Sequence, residues 1–322
     1  LMWETMKKLA GLLLCSVVVF LAACGQGETS SDAASDNETS DSSEKIYVLT
    51  TIAQIAEPLS VIGGERLEVD SLMGPSVDPH VYQATQSDIA KIENAELIFY
   101  NGLNLEANMV DIFNHLADTK PVVAIGEEIS EESLLQDENK AVDPHIWFDI
   151  DLWKEALDRA VEELKNYSPD DADMFEENKQ AYFSDLEALK EEATKLQHIP
   201  ENHKYLVTAH DAFQYFGHMH NLEVIGLQGI STDDEIGVSD INETIDIIKK
   251  YEVPAIFVES SVNPNSINAV LEGAQSEGID VTLGGELFSD AMGEPGTEEG
   301  TYIGMYRHNV DTIYEALMGG TE

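Results

Sequence analysis

The sequence predicts an α/β protein of two lobes, each a parallel sheet flanked by helices, joined by one long rigid helix. Three observations lead there. Short β-rich runs alternate with stretches of helical periodicity over most of the 322 residues, the pattern of parallel sheets covered by helices. Near the middle, Phe175, Tyr182, Leu186, Leu189, Ala193 and Leu196 fall 7, 4, 3, 4 and 3 residues apart, one continuous helical stripe. Candidate metal-ligating side chains follow strands in both halves, where open α/β sheets gather ligands.

The chain opens with an address. Lys7 and Lys8 precede an apolar run from Leu9 to Phe20, and Leu21-Ala22-Ala23-Cys24 then brings small residues up to a cysteine. The run is too short and too promptly interrupted for a transmembrane helix. It resembles a bacterial lipoprotein signal, which implies that residues 1–23 are removed and that Cys24 carries the lipid anchor. Residues 24–45 are Ser, Thr, Asp, Glu, Gly and Ala with hardly a large apolar side chain, so they read as an acidic disordered tether. The only two cysteines, Cys15 and Cys24, lie in this segment, so any metal bound by the body must be held by nitrogen and oxygen.

The body then follows in order. Ile46 to Thr51 reads as a strand, and Ile52, Ile55, Ala56, Leu59 and Ile62 as a helix ended by Gly63-Gly64, with Pro58 either kinking it or marking its start. Arg66 to Met73 is the next strand. Helix 83–95, strand 96–100, helix 105–116 and strand 121–125 continue the alternation up to a polar, acidic loop over 126–142. Helix 152–166 comes next, and Ser168-Pro169-Asp170-Asp171 supplies a cap, a proline and acid to open the long helix 170–197. After Ile199-Pro200 come strand 204–209, helix 212–219, strand 222–227, helix 239–250, strand 255–259, helix 266–273, strand 281–283 and helix 303–318. The expected organisation is an N-terminal lobe over 46–166, a linking helix over 167–199 and a C-terminal lobe over 200–322.

Acid dominates the charge: 62 Asp and Glu stand against 17 Lys and Arg, a net of -45. It is spread along the body, which excludes nucleic acid as a partner and excludes a polybasic grip on membranes. The plain reading is a solvated surface suited to salty or alkaline surroundings.

The tripeptide Asp-Pro-His occurs twice, at 78–80 and 143–145. Proline fixes its own φ and biases the residue before it towards extended geometry, so each histidine is presented from a stiff loop. His210 follows the strand 204–209, and Asp290 sits in a loop after the strand near Val281. These four, His80, His145, His210 and Asp290, read as one metal site fed from both lobes. His218 and His220, two apart on a helix, do not share a face and read as surface or packing residues. His115, His198, His203 and His308 have no ligand-like context. Ligating imidazoles donate their second N–H to a fixed acceptor, and Asn101, Asp149 and Glu259 are candidates for that role.

A run of segments then becomes specific: VDPHVYQ at 77–83, NGLNLE at 101–106, DPHIWFD at 143–149, VTAHDAFQYFG at 207–217, GISTDDEIG at 229–237, VESSVNP at 258–264 and FSDAMGEPG at 288–296. With these the body resembles the metal-binding lipoproteins of bacterial ABC importers, the TroA-like manganese/zinc group of the cluster A-I family. The resemblance covers the chain from about residue 45 to the end. It implies two lobes bridged by a rigid helix and one divalent ion, Mn2+ or Zn2+, held as cargo by His80, His145, His210 and Asp290. It implies delivery to an ABC permease and its ATPase from the outer face of the cell membrane, by a lipid-anchored monomer that is not an enzyme. Histidine at 210 goes with TroA-like and zinc-type members, where manganese-type adhesin lipoproteins carry glutamate. The acidic loop 126–142 lacks the histidines that zinc-type members often carry, and Asp290 as fourth ligand fits the TroA-like group. Some relatives are described as adhesins, and no residue here speaks for or against that role.

Chemistry alone leaves the metal open, since imidazole and carboxylate suit several ions and zinc outcompetes manganese at most such sites. The alternative class is a surface-anchored zinc hydrolase. It would need an open coordination position and a general base, and the sequence has neither HExxH nor a Gly-x-Ser-x-Gly elbow.

Overall fold

The computed structural model describes residues 44–319. The expected signal segment, Cys24 and almost all of the expected tether lie outside the described residues. Two four-stranded parallel sheets organise the rest. In the first, β1 (Ile46–Thr50), β2 (Leu67–Ser71), β3 (Leu97–Tyr100) and β4 (Val122–Ala124) run in the order β2-β1-β3-β4. In the second, β5 (Tyr205–His210), β6 (Glu223–Gln228), β7 (Ala255–Glu259) and β8 (Thr282–Leu287) repeat it as β6-β5-β7-β8. The central strands are buried almost end to end, as expected where helices cover both faces of a sheet.

This order fixes where a ligand can sit. In each sheet the chain steps from the first strand to one side and then crosses to the other, so the loops after strands one and three diverge and leave a crevice. In the first sheet that crevice lies beyond Thr51 and Asn101, and the buried carboxylate of Glu106 fills it. Glu106 accepts from Thr51 Oγ1 at 2.6 Å, from Asn101 N at 2.9 Å and from Gly102 N at 3.1 Å, tying the two strand ends together. In the second sheet the crevice lies between His210 and Glu259, the last residues of β5 and β7.

Helices α1 (Ala53–Gly63), α2 (Gln86–Asn94) and α3 (Val110–Leu116) belong to the first half, and α4 (Ile150–Tyr167) follows the acidic loop. Pro58 lies inside α1, so it does not mark the start of the helix. The helix expected from residue 83 begins at Gln86, because Thr85 and Asp88 form a capping box there. The run expected over 105–116 is split into a 3-10 turn, Ala107–Met109, and the short α3. Asp149 caps α4, its Oδ1 accepting from Asp151 N and Leu152 N at 2.9 and 3.2 Å.

The long linking helix is α5 (Ala172–Ala193), extended at its ends by 3-10 turns Pro169–Asp171 and Thr194–His198. The α-helical part alone spans about 33 Å at 1.5 Å per residue. Its buried face carries the expected apolar stripe and also Lys179, whose ammonium reaches Asp158 on α4. The second half adds α6 (Gln214–His220), α7 (Val238–Tyr251), α8 (Asn265–Ser276) and α9 (Tyr302–Leu317). β8 is longer than the strand expected over 281–283, because Gly284 and Gly285 weaken its sequence pattern. Both glycines are required: a Cβ at 284 would meet the Phe257 ring at 2.6 Å, and Gly285 has φ +139° beside a register shift between β7 and β8.

One apolar core runs from the first sheet through α4, α5 and α9 into the second half, and a smaller one lies under the outer face of the second sheet. Where the halves meet, Trp147, Phe148, Phe213, Phe216, Tyr302 and Tyr306 are fully buried. Among the described residues, no helix is long and apolar enough to cross a membrane.

Leu186 lies fully buried at the centre of the α5 stripe. Leu186→Ala is expected to lower stability by about 2–5 kcal/mol, through lost burial and the cavity left behind. Urea unfolding of the metal-free body measures it.

Candidate metal centre

The structure brings His80, His145, His210 and Asp290 to one point, each from a different element. His80 hangs from the loop between β2 and α2. His145 opens the 3-10 turn Ile146–Phe148 at the end of the acidic loop, and Asp290 follows β8. His210 ends β5 itself, one residue further into the strand than its sequence position implied. Each offers a ligand atom, and those atoms all lie within 4.8 Å of one another. His80 Nε2 and His145 Nε2 are 3.3 Å apart, His145 Nε2 is 3.2 Å from Asp290 Oδ1, His210 Nε2 is 3.2 Å from Asp290 Oδ2, and His80 Nε2 is 3.8 Å from Asp290 Oδ2. Tetrahedral bonds of about 2.1 Å put neighbouring ligand atoms about 3.4 Å apart, so the set has the size of a first-row ion's shell.

The polarity of the site agrees. Both oxygens of Asp290 and Nε2 of His210 are buried at the centre without an aligned hydrogen-bond partner, although imidazole nitrogens lie 3.2 Å from the carboxylate; behind them His210 Nδ1 and Glu259 Oε2 lie 2.5 Å apart, close but likewise not aligned. Buried polar atoms are rarely left unpaired, and a cation at the centre would answer the two Asp290 oxygens and His210 Nε2 at once.

Around this ring stand the groups that aim it. Asp143 Oδ1 lies 2.7 Å from His145 Nδ1 and also accepts from His145 N at 3.0 Å. Glu259 Oε2 lies 2.5 Å from His210 Nδ1, and its Oε1 accepts from His210 N at 2.8 Å. Of the three outer partners the sequence offered, Glu259 alone meets a ligand ring. Asp149 serves as the α4 cap, and Asn101 acts one step back by donating to Pro144 O at 3.0 Å, which steadies the loop of His145. Asp143 was missed as a ring partner, though an aspartate two residues before a histidine is a recognisable local turn. The Asp290 loop is pinned from both halves: Trp147 Nε1 and Gln54 Nε2 donate to Ser289 O, and Asn309 makes two bonds to Phe288. His220 is buried against Tyr306 and His218 is exposed, so neither joins the site.

These surroundings split the three imidazoles electrostatically. Burial pushes His80 down to about 3 against the opposing pull of Asp290. Burial also works against charge on His145, but Asp143 and Asp290 together outweigh it and raise that ring to about 9. His210 is raised well above the ordinary histidine value, Glu259 and Asp290 likewise overcoming its burial. Asp290 is held well below the usual carboxylate range despite its burial, first by His210 and then by the other two rings.

The family model described as zinc-uptake complex component A, periplasmic, matches residues 48–316. The chain belongs to that family. Among its relatives, the manganese-binding lipoprotein MntA of Bacillus subtilis is 43% identical over 309 residues, covering 95% of this chain and 99% of the relative. The zinc-binding protein TroA of Treponema pallidum is 43% identical over 289 residues, covering 89% and 92%. The solved structure of the periplasmic zinc-binding protein TroA from Treponema pallidum superposes with a TM-score of 0.83 over 85% of this chain and 99% of that one, again at 43% identity. Fe(III)-bound YtgA from Chlamydia trachomatis is similar too, at 29% identity and a TM-score of 0.77 over 86% and 99%. The chain is thus similar to relatives named for manganese and for zinc and to a structure solved with Fe(III).

In the metal-free chain at pH 6–8, His80 is expected to stay neutral while His145 and His210 stay protonated. Imidazole nitrogen chemical shifts followed by NMR across that range check this. Three rings titrating together near the ordinary value of about 6.5 would contradict it.

Proposed function

We propose that this chain is the extracytoplasmic solute-binding component of an ABC importer, capturing one divalent transition metal between its lobes and handing it to the permease. The observation that carries the reading is the buried set of three imidazoles and one carboxylate, drawn from both halves, with ligand-atom separations that fit one ion. Relatives named as manganese- and zinc-binding lipoproteins, at 43% identity over nearly the whole chain, support it. Three imidazoles and one carboxylate suit Zn2+, which also heads manganese in intrinsic affinity. Mn2+ prefers more oxygen, which a bidentate Asp290 supplies in part, so both ions belong in the proposal as cargo.

The remaining parts follow from the same reading. Cys24 is the lipid-bearing residue, the tether over 24–45 holds the body off the outer face of the membrane, and a monomer with lobes over 46–166 and 200–322 presents the loaded site to a permease and its ATPase. Hydrolysis is not favoured. Four protein ligands fill a tetrahedral shell and leave no position for an activated water.

Capture works as an exchange of charge. Asp143 Oδ1 bonds Nδ1 of His145 and Glu259 Oε2 stands 2.5 Å from Nδ1 of His210, so each ring keeps its Nε2 for the centre. With His145 and His210 raised, the metal-free site holds protons at neutral pH that the ion must displace. Proton competition therefore reaches above the pH of about 6.5 expected from free histidine, and affinity should climb with pH towards about 9. At pH 7, uptake of one zinc should release about two protons. Calorimetric titration in buffers of different ionisation enthalpy counts them, and release of none would contradict the charge assignment.

Competitive titration of the demetallated body with manganese and zinc, reading metal content and thermal shift together, tests the function. One equivalent with a large rise in melting temperature is expected, since an ion bound by the native state alone stabilises it by mass action. His145→Ala is expected to abolish tight binding and keep the fold, and Asp143→Asn to weaken binding by about 10–100-fold. Absence of binding by either ion in the unaltered chain would overturn the proposal.

A further inference from the structure

The four candidate ligands are not held alike. Asp143 braces the ring of His145, Glu259 braces that of His210, and the Asp290 loop is pinned through Ser289 and Phe288. The ring of His80 has no such partner: among the described residues, its only hydrogen-bond-range neighbour is His145 Nε2. The two Asp-Pro-His copies therefore do different work. Asp143 turns back onto its own histidine ring. Asp78 caps the backbone N–H of His80 at 2.9 Å with Oδ1 and spends Oδ2 on Thr232, whose hydroxyl donates to it at 2.5 Å.

Thr232 belongs to the other half of the chain, in the segment 229–237 between β6 and α7, so this bond crosses the cleft. Gln228 Nε2 in turn donates to the carbonyls of Thr232 and Asp234, holding the Thr232 turn. Beside it lies a cavity of about 620 Å³ bordered by His80, Leu103, Glu127, Asp137, Ser231 and Asp234 among others. His80 is the one ligand of the four on that border. His145 and His210 are completely buried, and Asp290 is 1% exposed.

We infer that the ion enters and leaves on the His80 side, and that Thr232 is a positioning residue whose hydroxyl, through Asp78, latches the His80 loop over the bound ion. The inference rests on the cargo reading above and names the side of the site that opens. His145, His210 and Asp290 form the fixed floor, and His80 is the ligand that completes the shell last and leaves it first. Acid around the cavity draws cations towards this mouth without selecting among them.

The test is zinc dissociation from the full folded body into excess chromogenic chelator, followed by stopped flow, for the unaltered chain, Thr232→Val and Thr232→Ser. Valine keeps the shape and removes the donor, and serine keeps the donor. A hydrogen bond to a charged acceptor whose loss acts on the bound state is expected to speed release roughly tenfold in Thr232→Val, with Thr232→Ser close to the unaltered rate. Rescue by Thr232→Ser, which keeps the donor on a smaller side chain, separates a positioning hydroxyl from a merely structural threonine. Unchanged release in Thr232→Val overturns the latch and leaves the cargo reading standing. Equally fast release in both variants overturns it too, since the hydroxyl would then be irrelevant. An unaltered chain that binds no zinc removes both the latch and the reading beneath it.

Discussion

Three imidazoles and an aspartate crowd within 4.8 Å of one another in a place where three of the four are cut off from solvent, and the rest of the chain is built to tolerate that. Burying charge is costly unless it is paired, so each buried ring that carries a proton needs a carboxylate within reach. Asp143 and Glu259 meet that need from behind, and Asp290 meets it from in front. The metal-free centre thus sets three carboxylates, Asp143, Glu259 and Asp290, against two rings pushed towards their protonated form. A divalent ion can replace its protons without leaving an orphaned charge.

Topology explains why the cluster forms where it does. Each sheet repeats the same strand order and so opens a crevice at the carboxyl ends of its first and third strands. In the second half that crevice holds the His210–Glu259 pair. In the first half it is closed by Glu106, and the candidate ligands come instead from the two Asp-Pro-His loops. The crossing of α5 and the aromatic wall of Trp147, Phe148, Tyr302 and Tyr306 then fix the two crevices face to face. Tyr302 and Tyr306 donate to the carbonyls of Trp147 and Phe148, so the turn following His145 is bolted to the C-terminal helix. Opposite this back, the His80 loop and the 229–237 segment meet across the front of the site through the Thr232–Asp78 bond.

Much of this was legible beforehand, and for physical reasons. Strand and helix alternate with clear periods, the α5 stripe is unmistakable, and all four side chains now found together were named from their position after strands or in stiff loops. What was not legible depended on tertiary partners. The role of Lys179 on the buried face of α5 follows from Asp158 on another helix. The length of β8 was hidden by two glycines whose purpose is to admit Phe257 and a bulge. The different duties of Asp78 and Asp143 cannot be read from identical tripeptides, because Thr232 stands 154 residues from Asp78 in sequence. Asp149 looked like a partner for the site and is a helix cap, since a local backbone N–H competes well for a carboxylate that starts a helix.

The most direct test of the central claim is an anomalous-scattering map from crystals of the zinc-loaded body. The account predicts one peak at the meeting point of the lobes, about 2.0–2.2 Å from Nε2 of His80, His145 and His210 and from the Asp290 carboxylate. A fully loaded crystal whose ion lay elsewhere, or touched side chains of one lobe only, would contradict it.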